Sequence, residues 1–361
     1  MATKKSAKTT ENPSNTSSNT GHDSAVDFSH SKTSNVDHAS CFTKKELIET
    51  YTQMLLIRRF EERCGKIYNQ GKIKGFCHLY IGQEAVACGA KHALNQLGHS
   101  GSMITSYRCH GMAIASGSNP KNVMAELTGK ATGTSGGKGG SMHLFNADGG
   151  FFGGHGIVGA QVPLGTGIAF ANKYANKKEA SLTFLGDGAV SQGQFYESLN
   201  MAKIWNLPCV YIIENNQYAM GTAVSRSAAN HKKLFERGIG FDVKGEKVDG
   251  MNLFEVANAV KNAVEFAVEN GPVILEMSTY RYRGHSMSDP AKYRSRSDVD
   301  EQKQNRDPIA FVAEYMLAKN IITESALEKI EDEVIAIVDD AQNFADSSAV
   351  PTEDCLVTNI Y

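Results

Sequence analysis

The fold is decided by the stretch Leu182-Thr-Phe-Leu-Gly-Asp-Gly188 and by the pair Asn215-Asn216, with 26 residues between them. An apolar run stands directly before each polar motif, at 182–185 and at 210–213. Runs of this length and composition predict short buried strands. Each polar motif therefore lies at the point where a strand ends.

The segment between the two runs predicts a crossover helix over 194–205, and Pro208 prevents the helix from continuing into the second strand. One face of this helix carries Phe195, Leu199, Ala202 and Trp205. A strand–helix–strand unit of about thirty residues pairs its strands in parallel with a right-handed crossover. The fold class is therefore α/β, with a mostly parallel sheet flanked by helices.

Parallel strands end at the same edge of a sheet, so Asp187 and Asn216 are expected close together. A carboxylate and an amide oxygen are ligands that Mg²⁺ prefers, together with phosphate and water. Gly186 and Gly188 would let backbone approach an anion closely. An ordinary turn explains the first motif alone as well, but the matched second motif favours a metal-bridged diphosphate at this edge.

Further motifs follow in an order that resembles the alpha subunits of the thiamine diphosphate-dependent 2-oxo acid dehydrogenases, in particular of the pyruvate-specific first component. The resemblance covers residue 43 to the C-terminus. The motifs that carry it are Gly75–Leu79, Gly82–Ala85, Tyr107–Gly111, Gly136–His143, Gly156–Pro163, Asp187, Asn216 and Tyr280–Pro290.

The resemblance implies a cofactor site. Asp187, Asn216 and the backbone carbonyl of Tyr218 would bind Mg²⁺, and His285 would lie at the diphosphate and the reaction centre. The implied residues that bind thiamine diphosphate are Tyr107, Arg108, Gly156, Val158, Asp187, Gly188, Ala189, Asn216, Tyr218, Arg281 and His285.

The implied activity is oxidative decarboxylation of pyruvate, with transfer of the acetyl group to a lipoyl-bearing dihydrolipoamide acetyltransferase. The implied assembly is an alpha-two beta-two heterotetramer. We find no residue whose context identifies the carboxylate that activates the cofactor, and in the resembled family a separate beta subunit supplies it. A branched-chain 2-oxo acid or acetoin dehydrogenase subunit, and a non-catalytic paralogue that binds the beta subunit, remain alternatives.

The motifs also contain two histidines, His110 and His285, and a serine, Ser286. Anions near His285 would favour its protonated form. For His110, a hydrogen-bonded structural role and an active-site role are equally supported. Ser286 matches a serine that animal relatives phosphorylate, but the loop here is one residue shorter, and we expect no phosphate in the native protein.

Composition excludes other classes of protein. The net charge of −2 gives no basic field for nucleic acid, and no run of eighteen apolar residues could span a membrane. The seven cysteines are odd in number and form no C-x-x-C pair, which is typical of reduced thiols in a cytosol-like compartment. We therefore expect a bacterial cytoplasmic protein rather than one of the mitochondrial matrix.

Residues 1–40 predict a disordered tail, because Ser, Thr, Asn and Lys dominate and little apolar surface is available to bury. The tail has acidic residues and no arginine, unlike a mitochondrial transit peptide. A capping box at Thr43 and Glu46 predicts the start of a long helix that ends before Gly71. The catalytic domain is therefore expected from residue 43 to residue 361.

The Gly-rich stretch 133–156 predicts a binding loop or lid without regular structure. It ends in a G-x-G-x-x-G match at 154–159, but no strand is expected before this match, so nucleotide binding of the NAD type is not predicted. Residues 159–174 predict a helix with a face of small residues, Gly159, Gly165, Gly167 and Ala169. That face could pack within its own domain, whereas the resemblance favours a subunit contact.

Overall fold

The computed structural model describes residues 38–99 and 101–358. Its main sheet has six strands, all parallel, in the order β2-β1-β3-β4-β8-β7, and a separate two-stranded hairpin is formed by β5 and β6. The strands are β1 Ser102–Ser106, β2 Phe151–His155, β3 Ser181–Gly186, β4 Cys209–Asn215, β5 Tyr218–Ala219, β6 Thr222–Ala223, β7 Lys244–Asp249 and β8 Val273–Ser278.

Helices cover both faces of this sheet. Alternate residues of β3 and β4 enter two separate apolar cores, Leu182 and Val210 on one side and Leu185 and Ile213 on the other. The α-helices are α1 Lys44–Asn69, α2 Glu84–Gln96, α3 His110–Ala115, α4 Pro120–Leu127, α5 Gln161–Tyr174, α6 Gly193–Ile204, α7 Val224–Ser227, α8 Leu253–Asn270, α9 Arg296–Arg306, α10 Pro308–Ala318 and α11 Glu324–Ser347. The predicted α/β class is confirmed.

The register of the central strands brings the polar motifs to one edge. Gly186 at the end of β3 pairs with Glu214 of β4, and Asn215 at the end of β4 pairs with Ser278 of β8. The three strands therefore deliver Asp187, Asn216 and the loop after Ser278 to the same rim, as the sequence predicted.

The crossover helix is α6, one residue earlier at each end than expected. Phe195, Leu199 and Ala202 are buried in it, whereas Trp205 is 45% exposed. Trp205 is the residue that caps the helix, where the chain turns away towards Asn206 with a positive φ of 46°.

Strand β2 corrects the prediction for the Gly-rich stretch. Residues 151–155 pair in parallel with β1, so a strand leads into the G-x-G-x-x-G match and includes its first two residues. The sequence hid this strand because Gly153 and Gly154 carry no side chain, and Gly153 has a φ of 95°. The rest of the stretch forms turns and one short 3-10 helix, Gly140–Met142.

The small residues of α5 do not share one face. Gly165 and Ala169 are buried, and a Cβ on Gly165 would lie 2.0 Å from Oγ1 of Thr183, so this side packs on the sheet within the domain. Gly167 points the other way, with open space around it. The prediction of a single small-residue face was therefore wrong.

The predicted start of α1 is confirmed. Thr43 accepts from the backbone N–H of Glu46, and the Glu46 carboxylate accepts from the Thr43 N–H, which completes the capping box. A 3-10 helix, His38–Cys41, precedes it. Residues 1–37 of the predicted tail lie outside the described residues, so the predicted boundary stays a prediction.

Two further findings bear on composition. All seven cysteines are thiols. Within residues 38–99 and 101–358, no helix is both long enough and apolar enough to cross a membrane.

Candidate active site

A cavity of about 860 Å³ lies at the carboxyl edge of the sheet. It is walled by the loops after β1, β2, β3, β4 and β8, and by the β5–β6 hairpin. All the cofactor-binding residues implied by the resemblance line it: Tyr107, Arg108, Gly156, Val158, Asp187, Gly188, Ala189, Asn216, Tyr218, Arg281 and His285.

The Asp187 carboxyl group is the most unusual feature of the cavity. Its side chain is buried, and Oδ2 has no hydrogen-bond partner among the residues that the structure describes. Burial raises the pKa of Asp187 to about 6, while Arg281 and the backbone N–H of Asn216 act in the opposite direction. An uncompensated carboxylate in this position is costly unless a cation approaches it.

Two further oxygens, from residues that line the cavity, share one donor. Nη1 of Arg281 donates to Oδ1 of Asn216 and to the carbonyl oxygen of Tyr218, both at 3.0 Å. The chain reaches this geometry through Gln217, which has a positive φ of 74° between Asn216 and β5. Carboxylate, amide and carbonyl oxygens form a hard donor set that fits Mg²⁺.

Arg281 itself is only 1% exposed and uses all five of its N–H groups within the chain. Besides the two bonds above, it donates to the carbonyl oxygens of Arg283 and Met220 and to the hydroxyl of Tyr293. In this arrangement Arg281 holds the two predicted metal-binding oxygens in place. Its predicted contact with the diphosphate remains a prediction and would require an exchange of partners.

Arg108 links two walls of the cavity. It donates to the carbonyl oxygens of Leu79 at 2.6 Å and of His285 at 2.8 Å. Burial and the nearby Arg281 lower the pKa of Arg108 to about 10. A buried guanidinium beside a second one is a favourable setting for an anion.

Three rings pack together beside these guanidinium groups. The centroids of His78 and Tyr107 lie 4.4 Å apart, and the centroid of His285 lies 5.0 Å from His78. Burial, with Arg108 and Arg281, lowers the pKa of His285 to about 4. The chain alone therefore favours neutral His285, the reverse of the sequence-based expectation, which depended on nearby anions.

Another part of the cavity wall is formed by Val158, Gly188 and Ala219. A Cβ on Gly188 would lie 2.6 Å from the Cβ of Ala219 in the hairpin. Val158 is 42% exposed, and its carbonyl oxygen accepts from Gln194. Substitution of Gly188 would therefore push the hairpin away from β3.

His110 is now assigned a structural role. Its Nδ1 lies 2.8 Å from Oε2 of Glu61, and its Nε2 lies 2.8 Å from Oγ of Ser141. Oε1 of Glu61 accepts from the backbone N–H of Tyr80. Glu61, His110 and Cys64 lie close enough to hold a metal ion, but both Glu61 oxygens and both His110 nitrogens already have partners in the chain.

Among the polar residues that line the cavity, sequence reasoning gave no role to His78, Gln83 and Glu214. Gln83 donates to Glu214 and accepts from Asn216, and burial raises the pKa of Glu214 to about 7. Glu214 directly precedes Asn215-Asn216 and was readable as part of that motif. His78 and Gln83 lie in the motifs Gly75–Leu79 and Gly82–Ala85, which served only to identify the resemblance and were given no role in the site.

Comparison with known proteins decides the family. The family model described as "Dehydrogenase E1 component" matches residues 52–353. The chain belongs to the dehydrogenase E1 component family. Members of this family depend on thiamine diphosphate, and the cavity lies within the matched region.

Curated relatives are similar over most of their length. The pyruvate dehydrogenase E1 component subunit alpha of Rickettsia felis is 54% identical over 320 residues, 88% of this chain and 97% of the relative. The same subunit of Zymomonas mobilis is 53% identical over 88% of this chain and 89% of the relative. The mitochondrial type I subunit of Ascaris suum is 46% identical over 88% of this chain and 79% of the relative.

Proposed function

We propose that this chain is the alpha subunit of a bacterial pyruvate dehydrogenase E1 component. The reaction is oxidative decarboxylation of pyruvate and transfer of the acetyl group to a lipoyl group of dihydrolipoamide acetyltransferase. The observation that carries the proposal is the convergence of every implied cofactor residue on one cavity of an E1-family fold. The bacterial relatives support a cytoplasmic location.

The metal in this proposal is Mg²⁺. Asp187 supplies the charged oxygen, and Asn216 Oδ1 and the Tyr218 carbonyl supply neutral ones. The buried, unpartnered Oδ2 of Asp187 supports this assignment. When bound, thiamine diphosphate supplies the electron sink that decarboxylation of a 2-oxo acid requires.

The other residues of this chain bind and orient. Arg108 and Tyr107 are assigned to the diphosphate, Gly156 and Val158 to the pyrimidine, and Gly188 and Ala189 to the turn beside the metal. His285 is assigned to the reaction centre, where the loop after β8 presents it to the cavity. Its neutral form could accept a proton there.

The site needs a second subunit in this proposal. Its rim exposes Phe76, Ile157, Val158 and Met220, and the outer sides of α5 and α6 expose Leu164, Phe170, Tyr174, Met201, Ile204 and Trp205. Exposed apolar groups of this size are typical of interfaces between subunits. They support a contact with a second subunit. The proposed assembly is alpha-two beta-two, and in it the beta subunit supplies the activating carboxylate.

A substrate panel tests the proposal. The chain is co-expressed with its beta subunit, and reduction of an artificial electron acceptor is measured for pyruvate, 3-methyl-2-oxobutanoate and acetoin, because acetoin has no carboxyl group and releases no CO₂. We expect kcat/KM for pyruvate to exceed the others by about a hundredfold, or about 2.7 kcal/mol of transition-state preference. A preference for another substrate would replace the assigned one, and no turnover with any would indicate a non-catalytic paralogue.

A further inference from the structure

A buried chain of polar side chains leads to the predicted metal ligand Asn216. Glu214 Oε1 accepts from the hydroxyl of Tyr80 and, at 3.0 Å, from Nε2 of Gln83. Oε1 of Gln83 in turn accepts from Nδ2 of Asn216, also at 3.0 Å. Tyr80, Gln83, Glu214 and Asn216 are each less than 9% exposed, so these bonds are largely shielded from solvent.

The chain has a direction, which Glu214 sets. A side-chain amide carries its donor on one side and its acceptor on the other. Because the Oε1 atom of Glu214 accepts two hydrogen bonds, Gln83 must turn its NH₂ group towards Glu214 and its oxygen towards Asn216. Asn216 must then turn its own NH₂ group towards Gln83, which leaves Oδ1 facing Nη1 of Arg281.

We propose that Glu214 is a positioning residue for the cation site: through Gln83 it fixes the amide of Asn216 so that oxygen, and not NH₂, faces the metal. This inference rests on the proposed function only in taking Asn216 as a metal ligand. A reversed amide would turn a donor towards the cation and towards Nη1 of Arg281, which already donates to Oδ1. Both contacts would then be repulsive.

The required feature is an oxygen acceptor at position 214, and not its charge. Glu214→Gln can keep that oxygen, whereas Glu214→Leu removes it at a similar size. Gln83→Leu breaks the same chain one residue later and leaves Glu214 in place. Tyr80→Phe is the matched control, because it removes the other hydrogen bond to Glu214 but leaves the path to Asn216 intact.

The probe is Mn²⁺, titrated into the assembled heterotetramer with thiamine diphosphate present and followed by electron paramagnetic resonance. We expect Glu214→Leu and Gln83→Leu each to raise the Kd for Mn²⁺ by at least tenfold, Glu214→Gln by less than threefold, and Tyr80→Phe by less than twofold. Thermal unfolding without metal is measured in parallel. If the leucine variants acted only through a general loss of stability, Tyr80→Phe should weaken Mn²⁺ binding as well.

Wild-type Mn²⁺ affinity in both leucine variants would overturn the inference and leave the proposed function intact. Equal weakening in all four variants would also overturn it, because the effect would then follow stability. If Glu214→Leu does not fold, Gln83→Leu carries the test with the same expected change. Failure of the wild-type heterotetramer to bind Mn²⁺ would overturn this inference and the proposed metal site together.

Discussion

At the residue scale, the predicted metal site combines the Asp187 carboxyl group with two permanent cations, Arg108 and Arg281, in a buried setting. Burial disfavours charge on the Asp187 carboxyl group, and Arg281 favours it. In addition, the carboxyl oxygen Oδ2 has no hydrogen-bond partner in the described chain. Because this atom is a carboxylate oxygen of a residue that lines the cavity, a bound cation would satisfy it.

Removing the charge of Asp187 tests its role. Asp187→Asn keeps a neutral oxygen in the same place, so the fold should survive while the cation is held less well. We expect cofactor-dependent turnover of the heterotetramer to fall by at least a hundredfold, about 2.7 kcal/mol. The control is Asp148→Asn, an exposed change outside the cavity. Near-normal turnover of Asp187→Asn at ordinary Mg²⁺ would remove Asp187 from the site.

The lowered pKa of His285 predicts a pH dependence of stability. In the unfolded chain a histidine has a pKa of about 6.5, and burial and two guanidinium groups lower the folded value to about 4. Between these values the unfolded state binds more protons, so His285 makes the fold less stable as the pH falls from 6.5 to 4.

His285→Gln should remove that contribution. The measured quantity is the difference in urea unfolding free energy between wild type and variant of the chain without cofactor, from pH 7.5 to pH 4. We expect the variant to gain stability relative to wild type as the pH falls. A constant difference across this range would show that the His285 pKa is not lowered.

At the element scale, the loop between β8 and α9 carries the regulatory question. Ser286 is buried, and its hydroxyl lies 2.9 Å from that of Ser288. The same loop is held by Asp289, which accepts from the His285 N–H and the Tyr293 hydroxyl. A negative charge at Ser286 would therefore enter a packed wall of the proposed diphosphate site.

We expect Ser286→Glu to inactivate the heterotetramer by at least a hundredfold. Ser325→Glu, in the exposed first turn of α11, should not change activity. We also expect no phosphate on Ser286 in the native protein, which mass spectrometry of the intact chain checks. Stoichiometric phosphorylation in cells would overturn this second part, and an active Ser286→Glu enzyme the first.

The N-terminal boundary gives a paired deletion. The Cys41 carbonyl oxygen accepts from His92, and the ring of Phe42 stacks on that of His92 at 3.7 Å. Deleting residues 1–37 should leave cofactor affinity and the unfolding midpoint unchanged. Deleting residues 1–42 should lower the midpoint by about 2–4 °C for each kcal/mol of packing lost. Failure of the shorter deletion to assemble with the beta subunit would make the tail structural.

The sequence predicted those elements whose signals lie within one short segment of the chain. The β3–α6–β4 unit, the capping box of α1 and the loop after β8 were predictable because apolar runs, caps and turns lie within each segment. Strand β2 was not, because its pairing with β1 depends on residues about 48 positions apart and its glycines give no strand signal. The difference between the two sides of α5 was not predictable for the same reason. Gly165 packs against the sheet and Gly167 does not, and the sequence of the helix alone does not show which glycine packs.

The candidate site was predictable residue by residue only where a motif named the residue. Spacing placed Asp187 and Asn216 at one edge, and the resemblance supplied the others. The chain from Glu214 through Gln83 to Asn216 joins residues more than 130 positions apart, so no local pattern contains it. The same holds for the Arg281 bonds to Asn216 and Tyr218, which span more than 60 positions.

At the scale of the whole molecule, the proposal requires two kinds of subunit. The cavity of this chain offers cation and diphosphate contacts, and the rim of the cavity and the outer sides of α5 and α6 expose apolar side chains. Burying such surface against a partner would stabilise the assembly. The activating carboxylate is assigned to that partner.

Purified alone, this chain should therefore release no CO₂ from pyruvate, whereas co-expression with the beta subunit should restore turnover. The comparison uses equal amounts of chain, saturating thiamine diphosphate and Mg²⁺, and the beta subunit alone as the control. Robust turnover by the single chain would show that it contains its own activating acid, with Glu214 the first group to examine.

The most direct measurement is an anomalous diffraction map of the heterotetramer crystallised with thiamine diphosphate and Mn²⁺ in place of Mg²⁺. The account predicts a peak about 2.0–2.3 Å from oxygens of Asp187, Asn216 Oδ1 and the Tyr218 carbonyl, as expected for hard-cation coordination. A peak at Glu61, Cys64 and His110, or a cofactor bound without a peak at this rim, would contradict it.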